Sequence, residues 1–152
     1  LFPSGWETFP EYLEAVDQTP KSIHLAANIG HSALRTFVMG ERAFEETASE
    51  ADLAGMEVEL EAALRAGAIG LTTSRSEHHE TSDDRPVASR LAAWEEVHRL
   101  AGVMSRLGTG ILAGGTEAIL SGDPRLAEET WHWVRRIAVA LGVPMTAGLI
   151  AT

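Results

Sequence analysis

Ser49-Glu50-Ala51-Asp52-Leu53-Ala54-Gly55-Met56-Glu57-Val58-Glu59-Leu60-Glu61-Ala62-Ala63-Leu64-Arg65-Ala66-Gly67-Ala68-Ile69-Gly70-Leu71-Thr72-Thr73 decides the fold. Leu53, Met56, Leu60 and Leu64 recur at helical spacing and share one face. Ser49 is placed to cap that helix, with Asp52 three residues on in the box position. Gly67 ends it, because glycine alone takes the left-handed turn at no cost. The run Ala68 to Thr73 then changes to a short apolar segment, predicted as a strand. A helix, a glycine stop and a buried strand in direct succession form the αβ step of a parallel sheet.

Moving outward, the same step recurs. Upstream, Trp6 to Val16 is predicted as a short helix with Thr8 as cap and Pro10 in its first turn, where a missing N–H costs nothing. Ile23 to Ile29 is a predicted strand between Pro20 and Gly30. Downstream, a polar stretch from Ser74 to Arg90 leads to a helix bearing Leu91, Trp94, Val97, Ala101 and Met104 on one face, stopped by Gly108. Thr109 to Ala113 is the next strand, running into Gly114-Gly115. A further helix has Asp123 as cap and Pro124 at its first position. Its face is Leu126, Thr130, Trp133, Val134, Ile137 and Leu141, and Gly142 ends it. Val143 to Ile150 completes the series as a fourth strand.

Strand starts near 23, 68, 109 and 143 are roughly 35 to 45 residues apart, the βα repeat of a barrel or of a doubly wound sheet. No Gly-x-Gly-x-x-Gly or P-loop pattern follows any strand, which argues against a nucleotide-binding doubly wound fold. The expected class is α/β: a partial (β/α)8 TIM-type barrel with about four parallel strands alternating with helices. A whole barrel takes eight strands and about 250 residues. Residues 1–152 are thus expected to be a single incomplete domain, an internal segment that opens on Leu1 with no signal-peptide pattern.

Composition narrows the function. The 152 residues carry 12 Lys+Arg against 22 Asp+Glu, a net charge of -10, and the basic residues are all Arg except Lys21. No basic stripe exists to displace counterions from phosphates, so a nucleic-acid partner is not expected. An apolar fraction of 45% suffices for a packed core. The absence of cysteine excludes disulfides, Cys-type zinc sites and thiol nucleophiles. The longest apolar run, Ile137 to Leu141 with Val143 to Ile150, is broken by Gly142, Pro144 and Gly148, so no membrane helix is expected.

Parallel βα folds gather their chemistry where strands end. The first end is Asn28-Ile29-Gly30-His31-Ser32-Ala33-Leu34-Arg35. There His31 has the chemistry of acid, base or ligand, and Arg35 that of a bidentate carboxylate grip. A surface ion pair for Arg35 and a strand-capping role for His31 are the plainer alternatives. The second end, Thr72-Thr73-Ser74-Arg75, opens a long polar stretch with Glu77, His78, His79, Glu80, Asp83, Asp84 and Arg85. A loop of this length is more often functional than not. Adjacent histidines do not converge easily on one ion, so it is expected to be a solvated or substrate-covering loop. The third end offers Gly114, Gly115, Thr116 and Glu117, and the fourth only the hydroxyls of Thr146 and Thr152. His98 and His132 are expected on exposed helix faces, His24 as structural, and Trp94, Trp131 and Trp133 in packing.

At Asn28 to Arg35 the sequence resembles the D-aminoacylase (N-acyl-D-amino-acid deacylase) branch of the amidohydrolase superfamily. Trp6 and Thr8-Phe9-Pro10-Glu11-Tyr12-Leu13 are similar to that branch's lead-in, followed by Gly30-His31 with Leu34-Arg35, by Met39-Gly40 and by Ala66 to Thr73. Thr73-Ser74-Arg75, His79 and Asp84-Arg85-Pro86-Val87 resemble a divergent line of the same group. The resemblance implies an internal portion of a (β/α)8 barrel in a cytoplasmic, zinc-dependent hydrolase cleaving the amide of an N-acyl-D-amino acid or a related C–N bond. It implies that the first-strand histidine ligands and the catalytic aspartate lie outside these residues. His31, Arg35, Ser74, Arg75 and His79 are expected to bind substrate, with no metal ligand in this segment. Where the branch places two further histidines, this chain has Gly114 and Gly148 or Leu149. That departure leaves a non-catalytic barrel, kept for binding or as a scaffold, as the alternative. The expected partner is a small-molecule substrate, and the isolated segment, incapable of turnover alone, is expected to self-associate through its open sheet edges.

Overall fold

The structure, a computed structural model, describes residues 5–76, 78–114 and 122–146. Its elements run α1 (Phe9–Gln18), β1 (Asn28–Gly30), α2 (His31–Met39), a 3₁₀ turn (Gly40–Phe44), α3 (Glu50–Ala66), β2 (Gly70–Thr73), a second 3₁₀ turn (Ala88–Leu91), α4 (Trp94–Leu107), β3 (Ile111–Gly114), α5 (Pro124–Arg135) continuing as a π-helical turn (Arg136–Ala140), and β4 (Met145–Thr146).

Local chemistry accounts for the helix ends. The Thr8 side chain accepts from Glu11 N–H while the Glu11 carboxylate accepts from Thr8 N–H at 2.8 Å, a full capping box on α1. Ser49 and Asp52 build the same box on α3, and Asp123 caps α5 ahead of Pro124. Gly67 and Gly108 close α3 and α4 in left-handed geometry.

The four strands among the described residues are parallel, in the order β1-β2-β3-β4. Sequential order means that every crossover steps in one direction. A doubly wound sheet would reverse at a switch point. The chain therefore forms part of a (β/α) barrel wall. In register, Ile29, Leu71 and Leu112 form one row, and all are buried among the helices with Met56, Leu60, Val97, Leu100, Met104 and Ile137. The alternating residues Thr72 and Ala113 are only half-buried and Ile111 is exposed, so the opposite sheet face is the thinly covered one.

Four expectations change. The first strand is Asn28–Gly30 rather than Ile23 to Ile29. Its β2 partners are Gly70 to Thr72 alone, and Ile23 and Leu25 are exposed. His31–Met39 is a helix that the periodicity missed, because His31 and Arg35 occupy half of its buried face. Leu91 belongs to a 3₁₀ turn and α4 starts at Trp94. Leu126 is exposed, although Thr130, Trp133 and Ile137 of the same expected face are buried. The fourth strand is Met145–Thr146: Val143 and Pro144 of the expected run precede it, and its expected end, 147–150, lies outside the described residues, as do Glu77, Gly115, Thr116 and Glu117.

Candidate functional site

His31 is the first residue of α2, directly after β1, and Arg35 lies one turn along. Side chains at i and i+4 stack on one helix face, and this face turns inward: His31 is 1% exposed and Arg35 0%. What they meet is Glu96, in the first turn of α4 and 3% exposed. His31 Nε2 is 2.7 Å from Glu96 Oε1, and Arg35 Nη1 donates to Glu96 Oε2 at 2.5 Å. The other Arg35 terminal nitrogen donates to Glu46 O at 2.9 Å and Ala43 O at 3.4 Å. Burial pushes the Glu96 carboxyl up, but the hydrogen bonds from His31 and Arg35 outweigh it and hold the group below the usual carboxylate range.

The remaining His31 nitrogen, Nδ1, is 2.9 Å from Thr73 Oγ at the end of β2. Thr73 is two residues from Leu71 and shares its side of the strand, so it faces the helix layer. A continuous buried line therefore runs Arg35–Glu96–His31–Thr73, behind the sheet.

Ser74 and Arg75 follow as β2 leaves the sheet, both half-buried. Arg75 Nη1 donates to Ala92 O at 2.6 Å, and its guanidinium lies 4.7 Å from the Trp94 ring centroid. Trp94 stacks on Trp133, and Arg136 lies over the far partner at 4.7 Å, giving an Arg–Trp–Trp–Arg pile. His79 is exposed in the loop beyond. That loop is pinned: Glu80 bridges Pro86, and Arg85 pairs with Asp83 and Glu41 and lies over the Phe44 ring.

The structure thus gathers Ser74 and Arg75 at the β2 exit, sets His31 and Arg35 immediately behind it, and leaves His79 on the outer loop. Two residues that sequence reasoning did not single out complete the arrangement: Glu96, and Ser89, whose hydroxyl donates to Ser74 O at 2.9 Å. A signal for Glu96 was present. It shares a helical stripe with Leu100, Val103 and Leu107, so an acid there sits where a core residue belongs. A separate cleft of about 300 Å³, lined by Trp6, Phe9, Tyr12, Asn28 and Phe37, runs along the outer edge of β1 and excludes Ser74, Arg75 and His79.

The described residues contain no ready-made cluster of metal ligands. No three His, Asp or Glu side chains converge among them, and both ring nitrogens of His31 already have partners. Gly114 ends β3 at φ +92°, and a Cβ there would stand 2.0 Å from Thr73 O.

A solved D-aminoacylase, described as defining a novel subset of amidohydrolases, superposes with a TM-score of 0.69 at 26% identity, across 92% of this chain and 26% of its own. A Bordetella bronchiseptica N-acyl-D-glutamate deacylase, solved with zinc and a phosphonate inhibitor, shares the fold at TM-score 0.68. In sequence, an uncharacterized Mycobacterium tuberculosis protein is 36% identical over 110 residues, 68% of this chain. The D-aminoacylase of Alcaligenes xylosoxydans xylosoxydans is 37% identical over 68 residues, 45% of this chain. The chain spans 18% and 14% of those two proteins' lengths. No family model matches it. The fold is that of a portion of an amidohydrolase-type α/β barrel. Within that class, the chain is similar in structure and sequence to the D-aminoacylase branch.

Proposed function

We propose that residues 1–152 are an internal stretch of one amidohydrolase barrel domain, and that the complete enzyme hydrolyses the amide bond of an N-acyl-D-amino acid or a closely related C–N bond. The observation that carries this is the likeness to D-aminoacylase over 92% of the chain, with Ser74 and Arg75 at the exit of a barrel strand. In this scheme Arg75 faces the substrate carboxylate, the pairing its fork geometry favours. Ser74 and His79 add hydrogen bonds, and His31 and Arg35 act from behind the wall. Zinc belongs to the complete enzyme and is held by residues beyond those described here, so no step is routed through it. We place the enzyme in the cytoplasm. Among the described residues no helix is long and apolar enough to cross a membrane.

The test is a panel of N-acetyl-D- and N-acetyl-L-amino acids with the full-length protein, following amine release, together with metal analysis by mass spectrometry. Release from the D-series that a chelator abolishes supports the proposal. No turnover and no bound metal overturns it. The second outcome favours a barrel kept for binding or as a scaffold, to which Gly114 points because its backbone leaves no room for a donor side chain.

We also propose that the isolated chain self-associates. Within the described sheet, β1 and β4 each have a neighbour on one side only. Sedimentation equilibrium should give a dimer or larger, and a strictly monomeric mass would refute this.

A further inference from the structure

β2 leaves the sheet through three consecutive residues, each held from a different direction. Thr73 Oγ is bonded to His31 Nδ1 at 2.9 Å. Ser74 O accepts from Ser89 Oγ at 2.9 Å. Arg75 donates to Ala92 O and lies on Trp94. Ser89 is itself held by α2: Ser32 Oγ donates to Ser89 Oγ at 3.0 Å and accepts from Ser89 N–H at 3.1 Å. Two of the three holds therefore come from the first turn of α2, and the third comes from the start of α4. Glu96 joins those two helix starts through His31 and Arg35.

We propose that Glu96 and His31 are positioning residues that clamp the β2 exit through Thr73, so that Ser74 and Arg75 leave the sheet in one fixed direction. The clamp matters for catalysis only if Ser74 and Arg75 meet substrate, so that part rests on the function proposed above.

The hydrogen-bond logic is directional. An ionised Glu96 only accepts, so the His31 nitrogen that faces it, Nε2, is the donor of that pair. Nδ1 pairs with the Thr73 hydroxyl and fixes the Thr73 rotamer. Carboxylate, imidazole and hydroxyl in a row is also the order of an acyl-transfer triad. Here the hydroxyl is turned toward the helix layer, its residue is 5% exposed, and Arg35 occupies the second carboxylate oxygen. The row holds a strand end in place and offers no nucleophile to a carbonyl.

The experiment compares Thr73→Val, which keeps the shape and loses the hydroxyl, with Thr73→Ser, which keeps the hydroxyl. The full-length protein without ligand is followed by amide hydrogen exchange and by the imidazole ¹⁵N shifts of His31. Thr73→Val should speed exchange at residues 74 and 75 about tenfold, equivalent to about 1.4 kcal/mol, while α3 amides stay unchanged. It should also displace the Nδ1 resonance, and Thr73→Ser should restore both. Unaltered exchange and an unaltered Nδ1 shift in the valine variant overturn the clamp. So does equal acceleration in α3, or a fluorophosphonate adduct on Thr73. Addition of N-acetyl-D-glutamate tests the function separately. A loosened exit with no ligand-induced shift at residues 74 and 75 leaves the clamp standing and overturns the substrate role of Ser74 and Arg75.

Discussion

At the exits of β1 and β2 the chain places charged and hydroxyl side chains in a buried network, whereas at the exit of β3 it places a glycine whose backbone touches its neighbour. Arg35, Glu96, His31 and Thr73 hold the first pair of exits by directional bonds between side chains. Gly114 holds the third by the absence of a side chain: with no Cβ, β3 closes onto Thr73 O. The difference teaches where a substitution has consequences. In the first region, deleting a group strands its partner in a dry interior. In the second, adding any group forces two strands apart.

The largest effect should follow from breaking the first region at its centre. Glu96→Ala leaves the Arg35 guanidinium buried without its counter-charge, and urea denaturation should show a loss of about 3–5 kcal/mol. Next comes Gly114→Ala, where left-handed strain adds to the overlap with Thr73 O, together about 3 kcal/mol. Gly108→Ala is its control. Gly108 is also left-handed at φ +64°, but nothing lies within 4 Å, so only the conformational part, about 1 kcal/mol, should be lost. Equal losses at the two glycines would mean that close packing does not distinguish the β3 exit.

Acidification sharpens the same comparison. The Glu96 carboxyl is held below its ordinary value, so its folded form binds a proton less readily than its unfolded form. Its stabilising contribution is complete above about pH 4.3, the unfolded value, and disappears as the pH falls through the lower folded value. Urea midpoints between about pH 6 and about pH 3 should fall more steeply for the natural chain than for Glu96→Gln. An identical slope in both would assign the acid limb elsewhere. Asp52 is the leading alternative, because hydrogen bonds from Arg42 and then Ser49 hold its carboxyl far below the usual range. The smallest effect is expected at the exit itself: Arg75→Lys keeps the charge but weakens the contact with Trp94, and should cost about 0.5–1 kcal/mol with a change in tryptophan emission.

Features determined by neighbours in the sequence were readable from it. Thr8, the Ser49–Asp52 box, Asp123 with Pro124, and the stops at Gly67 and Gly108 all behave as their residue types dictate. The repeat of helix, glycine and strand was enough to specify a parallel sheet. Strand lengths were not readable, because an apolar run such as Ile23 to Ile29 forms a strand only as far as its partner offers backbone. α2 was hidden for a related reason. A pattern search counts apolar residues, while this helix buries a histidine and an arginine beside Leu34 and Met39. At the site, His31, Arg35, Ser74 and Arg75 stood out as residue types at strand ends. Their depth depended on Glu96, which lies 61 positions from Arg35 and meets it only in three dimensions.

The contact between Ser89 and the carbonyl of Ser74 joins two points 15 positions apart and closes the intervening segment into a ring. Closing a ring becomes harder only slowly as it lengthens, by about 0.6 kcal/mol for each doubling. Residues can therefore be inserted or removed between the two feet while both feet stay in place. A lineage built on this barrel can vary the length of that segment without renegotiating the wall beneath.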